Sequence, residues 1–251
     1  MKIRHPRLIG AVSVLLMLAA MAAAGHAVWR IRKAVELARH SEPLQAGPAG
    51  ASASLLIVGD STGVGTGASS PMHSLAGLMA RDHPHLRIVN RAADGARFAD
   101  IARQLEGIGG HQRFGTVLVL GGGNDVIRLT DSAALARHIG AVARQARRLA
   151  PQVILMPPGN VGNAPFFFPP VSWLMTHRAR ALHAAVRQAA QDSGAVYVSL
   201  YQDKADDPFA QRPDELNAAD GLHPSDAGYR LWYGTLNDQA ALASRLAAPG
   251  S

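Results

Sequence analysis

Residues 55–63 of the chain read Leu55-Leu56-Ile57-Val58-Gly59-Asp60-Ser61-Thr62-Gly63. Four apolar residues followed by a glycine, an acid and a serine are typical of a buried strand that ends abruptly. We expect a helix to begin next, with its first backbone N–H groups pointing at any ligand of the serine hydroxyl. Ser61 is therefore either a nucleophile or a phosphate-binding residue, and this stretch by itself leaves both open.

Strand and helix patterns alternate through the rest of the chain. Strand patterns occur at residues 54–58, 86–90, 116–120, 153–156 and 196–200. Helical patterns lie near 71–81, 98–107, 131–149 and 171–191, and a last helix is expected at 225–246. This alternation predicts an α/β fold with a mainly parallel five-stranded sheet covered on both faces. Ligands of such sheets bind at the carboxyl ends of the strands, where we expect the functional side chains.

The charge of the chain is concentrated at its N-terminus. The 251 residues carry a formal net charge of +7 and are 48% hydrophobic, which is enough for one domain with a full core. Six of the 25 basic residues precede Glu36, which leaves 19 against 18 acidic residues over the body. These six are Lys2, Arg4, Arg7, Arg30, Arg32 and Lys33. A nucleic-acid partner is not expected, because such binders carry their basic excess on the folded domain.

The basic residues flank an apolar segment from Leu8 to Trp29 that contains no Asp, Glu, Lys or Arg. This segment is long enough to cross a bilayer. We predict that residues 1–29 are a signal-anchor or transmembrane segment, and that 30–53 form a basic juxtamembrane segment and a Pro/Gly/Ala linker. The domain at 54–247 is then anchored in the inner membrane facing the periplasm or outside, or exported after cleavage near residues 22–27. A core helix of a soluble protein is the remaining interpretation.

Metal and thiol chemistry have little support in the sequence. The chain contains no cysteine, which excludes disulfides, thiolate catalysis and Cys-ligated zinc. His83 and His85 form the one close histidine pair, and the intervening Pro84 favours an exposed loop over a metal site. We therefore expect no metal and no cofactor.

Further chemistry-bearing residues follow the other strands. Gly95 comes after the second strand, Asn124 after the third, and Asp220 with His223 after the fifth. Ester cleavage by a serine needs a base, an acid that orients the base, and donors to the oxyanion. Because Asp220 lies three residues before His223, a turn can bring its carboxylate to Nδ1 and leave Nε2 facing Ser61. The candidate oxyanion donors are the backbone N–H groups of Ser61 and Gly95 and the side-chain amide of Asn124.

These four blocks, in this order, resemble those of the SGNH/GDSL hydrolase family. They are Gly59-Asp60-Ser61, Gly95, Gly122-Gly123-Asn124-Asp125 and Asp220-Gly221-Leu222-His223-Pro224. The resemblance implies a three-layer α/β/α, flavodoxin-like fold and esterase, lipase, thioesterase or acyl-transfer activity without a metal or organic cofactor. Thr62 replaces the family's leucine and Ala92 a common glycine, but neither position carries the chemistry. Asp60 and Asp125 are expected to hold the turns at the strand ends.

We therefore predict a serine esterase that acts through an acyl-enzyme on Ser61. An acyltransferase or a carbohydrate O-acetyl esterase of the same fold are alternatives, and a non-catalytic ligand-binding module is an alternative of another class. The presence of Ser61, Asn124 and His223 favours catalysis over simple binding. The expected partners are a small-molecule, lipid or glycan ester and, through the N-terminal segment, a membrane.

Two other interpretations concern glycine-rich and aromatic stretches. Residues 63–68 nearly match a dinucleotide fingerprint, but the second strand ends in Asn90-Arg91 instead of the acid that binds a ribose. A Walker loop is excluded because no Gly-Lys-Ser/Thr follows Gly59. Phe166, Phe167 and Phe168 follow the fourth strand. They could line an acyl pocket, touch a membrane or cap the core, and the sequence leaves these roles open.

Overall fold

The computed structural model describes residues 6–109 and 111–246. The five strands are β1 (Ala53–Gly59), β2 (Leu86–Asn90), β3 (Thr116–Leu120), β4 (Gln152–Met156) and β5 (Val196–Tyr197). The longer helices are α1 (Pro6–His40), α3 (Leu75–Asp82), α4 (Phe98–Glu106), α6 (Ser132–Leu149), α7 (Val171–Ser193) and α10 (Asp226–Ala240). Short helices are α2 (Ser61–Val64), α5 (Gly123–Ile127), α8 (Pro208–Gln211), α9 (Pro213–Leu216) and α11 (Leu242–Leu246).

The strands form one parallel sheet in the order β2-β1-β3-β4-β5. Ile57 of β1 pairs with Asn90 on one side and Leu118 on the other, so the strand that precedes Ser61 lies inside the sheet. Helices cover both faces, which confirms the predicted three-layer α/β/α fold.

The central strands are buried on both faces, and their alternate residues belong to two different cores. Leu56 and Val58 pack in the core that includes residues of α4, α6 and α7. Leu55 and Ile57 pack in the opposite core with residues of α3 and α10. Burial on both sides explains why the strand sequence is a continuous apolar run and does not alternate.

The segment between the N-terminal helix and β1 is more ordered than the expected linker. Residues 30–40 continue α1 as a regular helix. Beyond it, Ala46 exchanges two backbone hydrogen bonds with Ile88 of β2 at 3.1 and 2.8 Å. The side chain of Gln45 also bonds to the backbone N–H and carbonyl of Asn90. The segment is ordered because the outer edge of β2 offers it unpaired backbone groups.

The predicted N-terminal segment at 1–29 begins with residues 1–5, which lie outside the described residues. Across the ranges 6–109 and 111–246, no helix has the length and apolar character needed to cross a membrane. The assignment of residues 1–29 as a signal or anchor stays a prediction.

Two elements differ in extent from the sequence prediction. β5 contains only residues 196–197, although the apolar pattern continued to Leu200. The last helix divides into α10 and α11 because Ala241 adopts a left-handed backbone conformation, with φ of 46°. Such a conformation interrupts a right-handed helix.

Candidate active site

Ser61 is the first residue of α2, at the carboxyl edge of the sheet. Asp60 caps this helix, and its Oδ1 accepts hydrogen bonds from the backbone N–H and the hydroxyl of Thr62 at 2.9 and 2.7 Å. The sharp change from strand to helix thus presents the serine hydroxyl at the strand end, as in other strand–turn–helix nucleophile sites. Asp60 has the structural role expected for it.

Gln104, which the sequence did not mark as a site residue, holds the backbone of Gly59, two residues before Ser61. Gln104 of α4 donates from Nε2 to the carbonyl of Gly59 at 2.9 Å. In return its Oε1 accepts the N–H of Gly59 at 2.8 Å. A Cβ on Gly59 would overlap the carbonyl oxygen of Leu120, so the close approach of β1 and β3 requires glycine here. No local sequence signal marks Gln104, because its partner lies 45 residues away.

Asp220, His223 and Ser61 form a continuous hydrogen-bonded chain. Nδ1 of His223 lies 2.5 Å from Oδ2 of Asp220, and Nε2 lies 2.9 Å from Oγ of Ser61. The other carboxylate oxygen of Asp220 accepts the backbone N–H groups of Leu222 and His223 at 3.0 and 3.1 Å. This turn fixes the carboxylate beside the imidazole, and Asp220 has no exposed surface.

The two buried carboxylates near the serine have opposite pKa shifts. Burial by itself would raise the pKa of Asp220, but the hydrogen bond and charge of His223 and the backbone N–H groups outweigh it and lower that pKa. Asp220 is therefore an anion suited to orienting the imidazole. Burial raises the pKa of Asp60 to about 6, against the lowering effect of its bonds from Thr62.

Gly95 and Asn124 lie around the same cavity as Ser61 and His223. Gly95 has φ of 73°, a conformation that favours glycine. Asn124 lies in α5, directly after β3. The next residue, Asp125, is fully buried and accepts the backbone N–H of Phe98 at 2.9 Å, which ties this short helix to α4. The structure thus brings the predicted oxyanion donors to the same cavity as the serine.

The cavity has a volume of 410 Å³ and is lined mainly by apolar side chains. Those of the body are Ile127, Pro158, Val161, Ala164, Phe166, Leu200, Phe209, Leu222 and Trp232. One face of α1 adds Ile31, Ala34, Val35 and Ala38. The contribution of α1 was not predicted, because the sequence indicated a basic juxtamembrane segment here and does not show what this segment faces.

The three phenylalanines of the loop after β4 line two different cavities. Phe166 lines the cavity at Ser61, in line with the acyl-pocket prediction. Phe167 and Phe168 line a second cavity instead, of 760 Å³. Phe167 packs partly on the core, whereas Phe168 is 56% exposed with its ring 5.7 Å from that of His26. The rings of Phe166 and Phe167 are 4.9 Å apart although they line different cavities, and the acyl-pocket role of the three phenylalanines stays a prediction.

Within the residues that the structure describes, no group of three or more His, Asp or Glu side chains could hold a metal ion. His83 and His85 stack edge to face with ring centroids 6.0 Å apart. His85 Nε2 lies 2.9 Å from the carbonyl of Leu246, so this ring has a structural partner.

Several solved structures share this fold. An α/β hydrolase from the metagenome of Lake Arreo matches with a TM-score of 0.59 and 21% identity, over 76% of this chain and 96% of that one. The acetylxylan esterase Axe2 of Geobacillus stearothermophilus matches with a TM-score of 0.55 and 22% identity, over 76% and 94%. TesA matches with a TM-score of 0.58 and 20% identity, over 74% and 97%. A search among curated proteins found no match.

The family itself is shown by the sequence model of the GDSL-like lipases and acylhydrolases, which matches residues 57–231. The match begins in β1 and ends in α10, so it includes Ser61, Gly95, Asn124, Asp220 and His223. This chain, an ester hydrolase, belongs to the GDSL-like lipase/acylhydrolase family.

Proposed function

We propose that the protein hydrolyses carboxylic esters through an acyl-enzyme on Ser61. Oγ of Ser61 bonds to the acyl carbon while Nε2 of His223 takes the hydroxyl proton. The protonated imidazole then gives this proton to the departing alkoxide, which leaves as an alcohol. Water attacks the acyl-enzyme with His223 again as base, releasing the acid and restoring the serine hydroxyl.

The observation that carries this proposal is the double contact of the His223 ring. Its Nε2 is 2.9 Å from the serine oxygen, and its Nδ1 is 2.5 Å from the buried carboxylate of Asp220. A carboxylate on Nδ1 selects the tautomer that leaves Nε2 free to accept a proton, and it stabilises the imidazolium that forms. The 2.9 Å separation between Nε2 and Oγ lies within the range in which a base takes a hydroxyl proton directly.

Three donors are suited to the negative oxygen of the tetrahedral intermediate. The backbone N–H of Ser61 is at the start of α2, where the first N–H groups have no partner within the helix. The backbone N–H of Gly95 and the side-chain amide of Asn124 complete the set. Preorganised donors of this kind are among the largest contributors to acyl-transfer catalysis.

Steady-state hydrolysis of p-nitrophenyl butyrate by single variants tests this assignment. We expect Asn124→Ala to lower kcat by about 10²–10³. Ser61→Ala should lower it further, because the nucleophile itself is lost. Ser244→Ala is the matched control and should retain full activity, because Ser244 is exposed and its hydroxyl donates to the backbone carbonyl of Ala241, far along the chain from the site residues. Near-full hydrolysis by Ser61→Ala would contradict the proposal.

We also propose that the N-terminal segment associates with a membrane, with the body outside the cytoplasm or exported after cleavage. Two observations support this. Half-exposed apolar side chains recur along this part of α1, at Val14, Met17, Leu18, Met21, Val28 and Trp29. Basic residues also flank the segment at both ends, and cations of this kind bind anionic lipid surfaces.

Cell fractionation with intact-mass measurement tests the location. Full-length protein in the membrane fraction, accessible to external protease, would support the anchor. A shortened protein outside the cytoplasm would support cleavage. Full-length protein recovered from the cytoplasm would contradict both forms of the proposal.

A further inference from the structure

The last turns of α1 form one wall of the cavity at Ser61. Ile31, Ala34, Val35 and Ala38 all line this cavity. Their spacing of three, four and seven residues places them on one face of the helix. The residues therefore present a continuous apolar stripe to the site and do not simply pass near it.

Arg30 connects this part of α1 to the turn that holds Asp220 and His223. Its Nη1 donates to the backbone carbonyl of Asp220 at 2.9 Å, and its Nε lies 2.6 Å from Nε2 of His26. The guanidinium occupies the space that a Cβ on Gly221 would need, so glycine at this position lets the end of the Arg30 side chain approach the turn closely. Because the contact reaches Asp220 itself, the position of α1 is coupled to that of the Asp220–His223 turn.

The body of the protein adds further apolar side chains to this cavity. They include Ile127, Leu200 and Trp232, with Phe166 from the loop after β4. The volume of 410 Å³ is in the range of small-molecule sites, and much larger than an acetyl group requires. A cavity that has apolar side chains from both α1 and the body, together with the serine, suits an alkyl chain attached to the reacting carbonyl.

We propose that the Ile31–Ala38 stripe of α1 completes an acyl-chain site and makes the enzyme prefer linear medium-chain acyl esters over acetates. The inference rests on the proposed acyl-enzyme mechanism and names its substrate class. Each methylene of the acyl chain that is buried in the cavity is expected to raise kcat/KM roughly fourfold, until the chain fills the cavity. The N-terminal helix is thus a determinant of specificity as well as a tether.

Two matched pairs of variants in the full-length protein test this. Ala34→Phe and Val35→Phe place a ring on the cavity side of α1. Ala27→Phe and Val28→Phe make the same changes seven residues earlier, about two turns away, and neither Ala27 nor Val28 is among the described residues that line the two cavities. Val28 and Val35 are also equally exposed, at 49% and 47%.

The assay compares p-nitrophenyl alkanoates from acetate to palmitate with alkyl acetates of matched length. We expect the wild type and the two control variants to prefer the same medium-chain alkanoate. Ala34→Phe and Val35→Phe should lower the ratio of kcat/KM on that ester to kcat/KM on acetate by about tenfold or more. The alkyl acetates, which place the chain on the alcohol, should show no such selection.

The opposite outcomes separate this inference from the mechanism beneath it. Unchanged chain-length profiles in Ala34→Phe and Val35→Phe, with acetate hydrolysis intact, would overturn the role of α1 alone. Selection within the alkyl acetates instead of the alkanoates would overturn the acyl placement. Absence of hydrolysis of every ester by the wild type would overturn the proposed function, and the present inference with it.

Discussion

Nη1 of Arg30 donates a hydrogen bond to the backbone carbonyl of Asp220 across 190 residues of sequence, at 2.9 Å. This contact joins α1 to the turn that holds the carboxylate and the imidazole. The basic cluster at the end of the apolar segment therefore has a second role besides any contact with lipid. One of its members is part of the framework of the active site.

Replacement of Arg30 by alanine should destabilise the protein. We expect the free energy of unfolding to fall by about 1 kcal/mol or somewhat more, because a partly buried hydrogen bond from a charged donor is lost. Urea denaturation in the presence of detergent measures this. Arg32→Ala, at an exposed position on the same helix, is the control and should change stability by less than about 0.5 kcal/mol. Equal effects of the two replacements would contradict a specific role for Arg30.

Gln104→Ala should lower both stability and activity. The replacement leaves the N–H and the carbonyl of Gly59 without their side-chain partner, at a cost of about 1–3 kcal/mol in unfolding free energy. Because Gly59 lies two residues before Ser61, kcat should fall as well. Gln188→Ala removes an exposed glutamine that bonds to Asp192, and it should leave both quantities nearly unchanged. Wild-type stability in Gln104→Ala would show that the clamp on Gly59 is dispensable.

A buried histidine outside the site should make stability depend on pH. His183 is held between the hydroxyl of Tyr197 and the carbonyl of Pro158, each at 2.7 Å. Burial lowers the pKa of His183 from 6.5 to about 4. The unfolded chain therefore binds more protons between these two values. The free energy of unfolding is therefore highest above pH 6.5. It falls by about 3 kcal/mol in all as the pH decreases toward and below 4.

The measurement is the difference in unfolding free energy between wild type and His183→Gln as a function of pH. Contributions from other titrating groups cancel in this difference, because both proteins contain them. One such group is Asp60, whose raised pKa has the opposite effect and lowers the free energy of unfolding as the pH rises from 3.8 to about 6. The difference should shrink as the pH falls through the window of His183. A constant difference from pH 4 to 6.5 would mean that His183 is not the titrating group.

The fold and the placement of the site residues were predictable because both depend on local patterns. Continuous apolar runs marked the buried parallel strands, and the residues after them meet at one sheet edge whatever the details of packing. The turn from Asp220 to His223 followed from a spacing of three residues. Contacts such as Gln104 to Gly59 and Arg30 to Asp220 were not predictable, since each joins residues far apart in sequence and neither has a local signature.

The N-terminal region shows the same limit in another form. The sequence indicated a basic juxtamembrane segment and then a Pro/Gly/Ala linker for residues 30–53, because Pro, Gly and Ala dominate the second half. The first half continues α1, and its apolar stripe lines the cavity. The stripe has helical spacing in the sequence, but only the tertiary structure reveals what it faces. The apolar loop at Phe166–Phe168 was similarly ambiguous, since a run of identical residues does not reveal where the chain turns.

Covalent labelling of the full-length protein with a fluorophosphonate, followed by peptide mapping by mass spectrometry, shows whether Ser61 is the nucleophile. We expect one phosphonyl adduct, located on Ser61, that depends on the His223 imidazole and is absent from the His223→Ala variant. Folded wild-type protein that gains no adduct, or that carries it on a residue other than Ser61, would contradict the account.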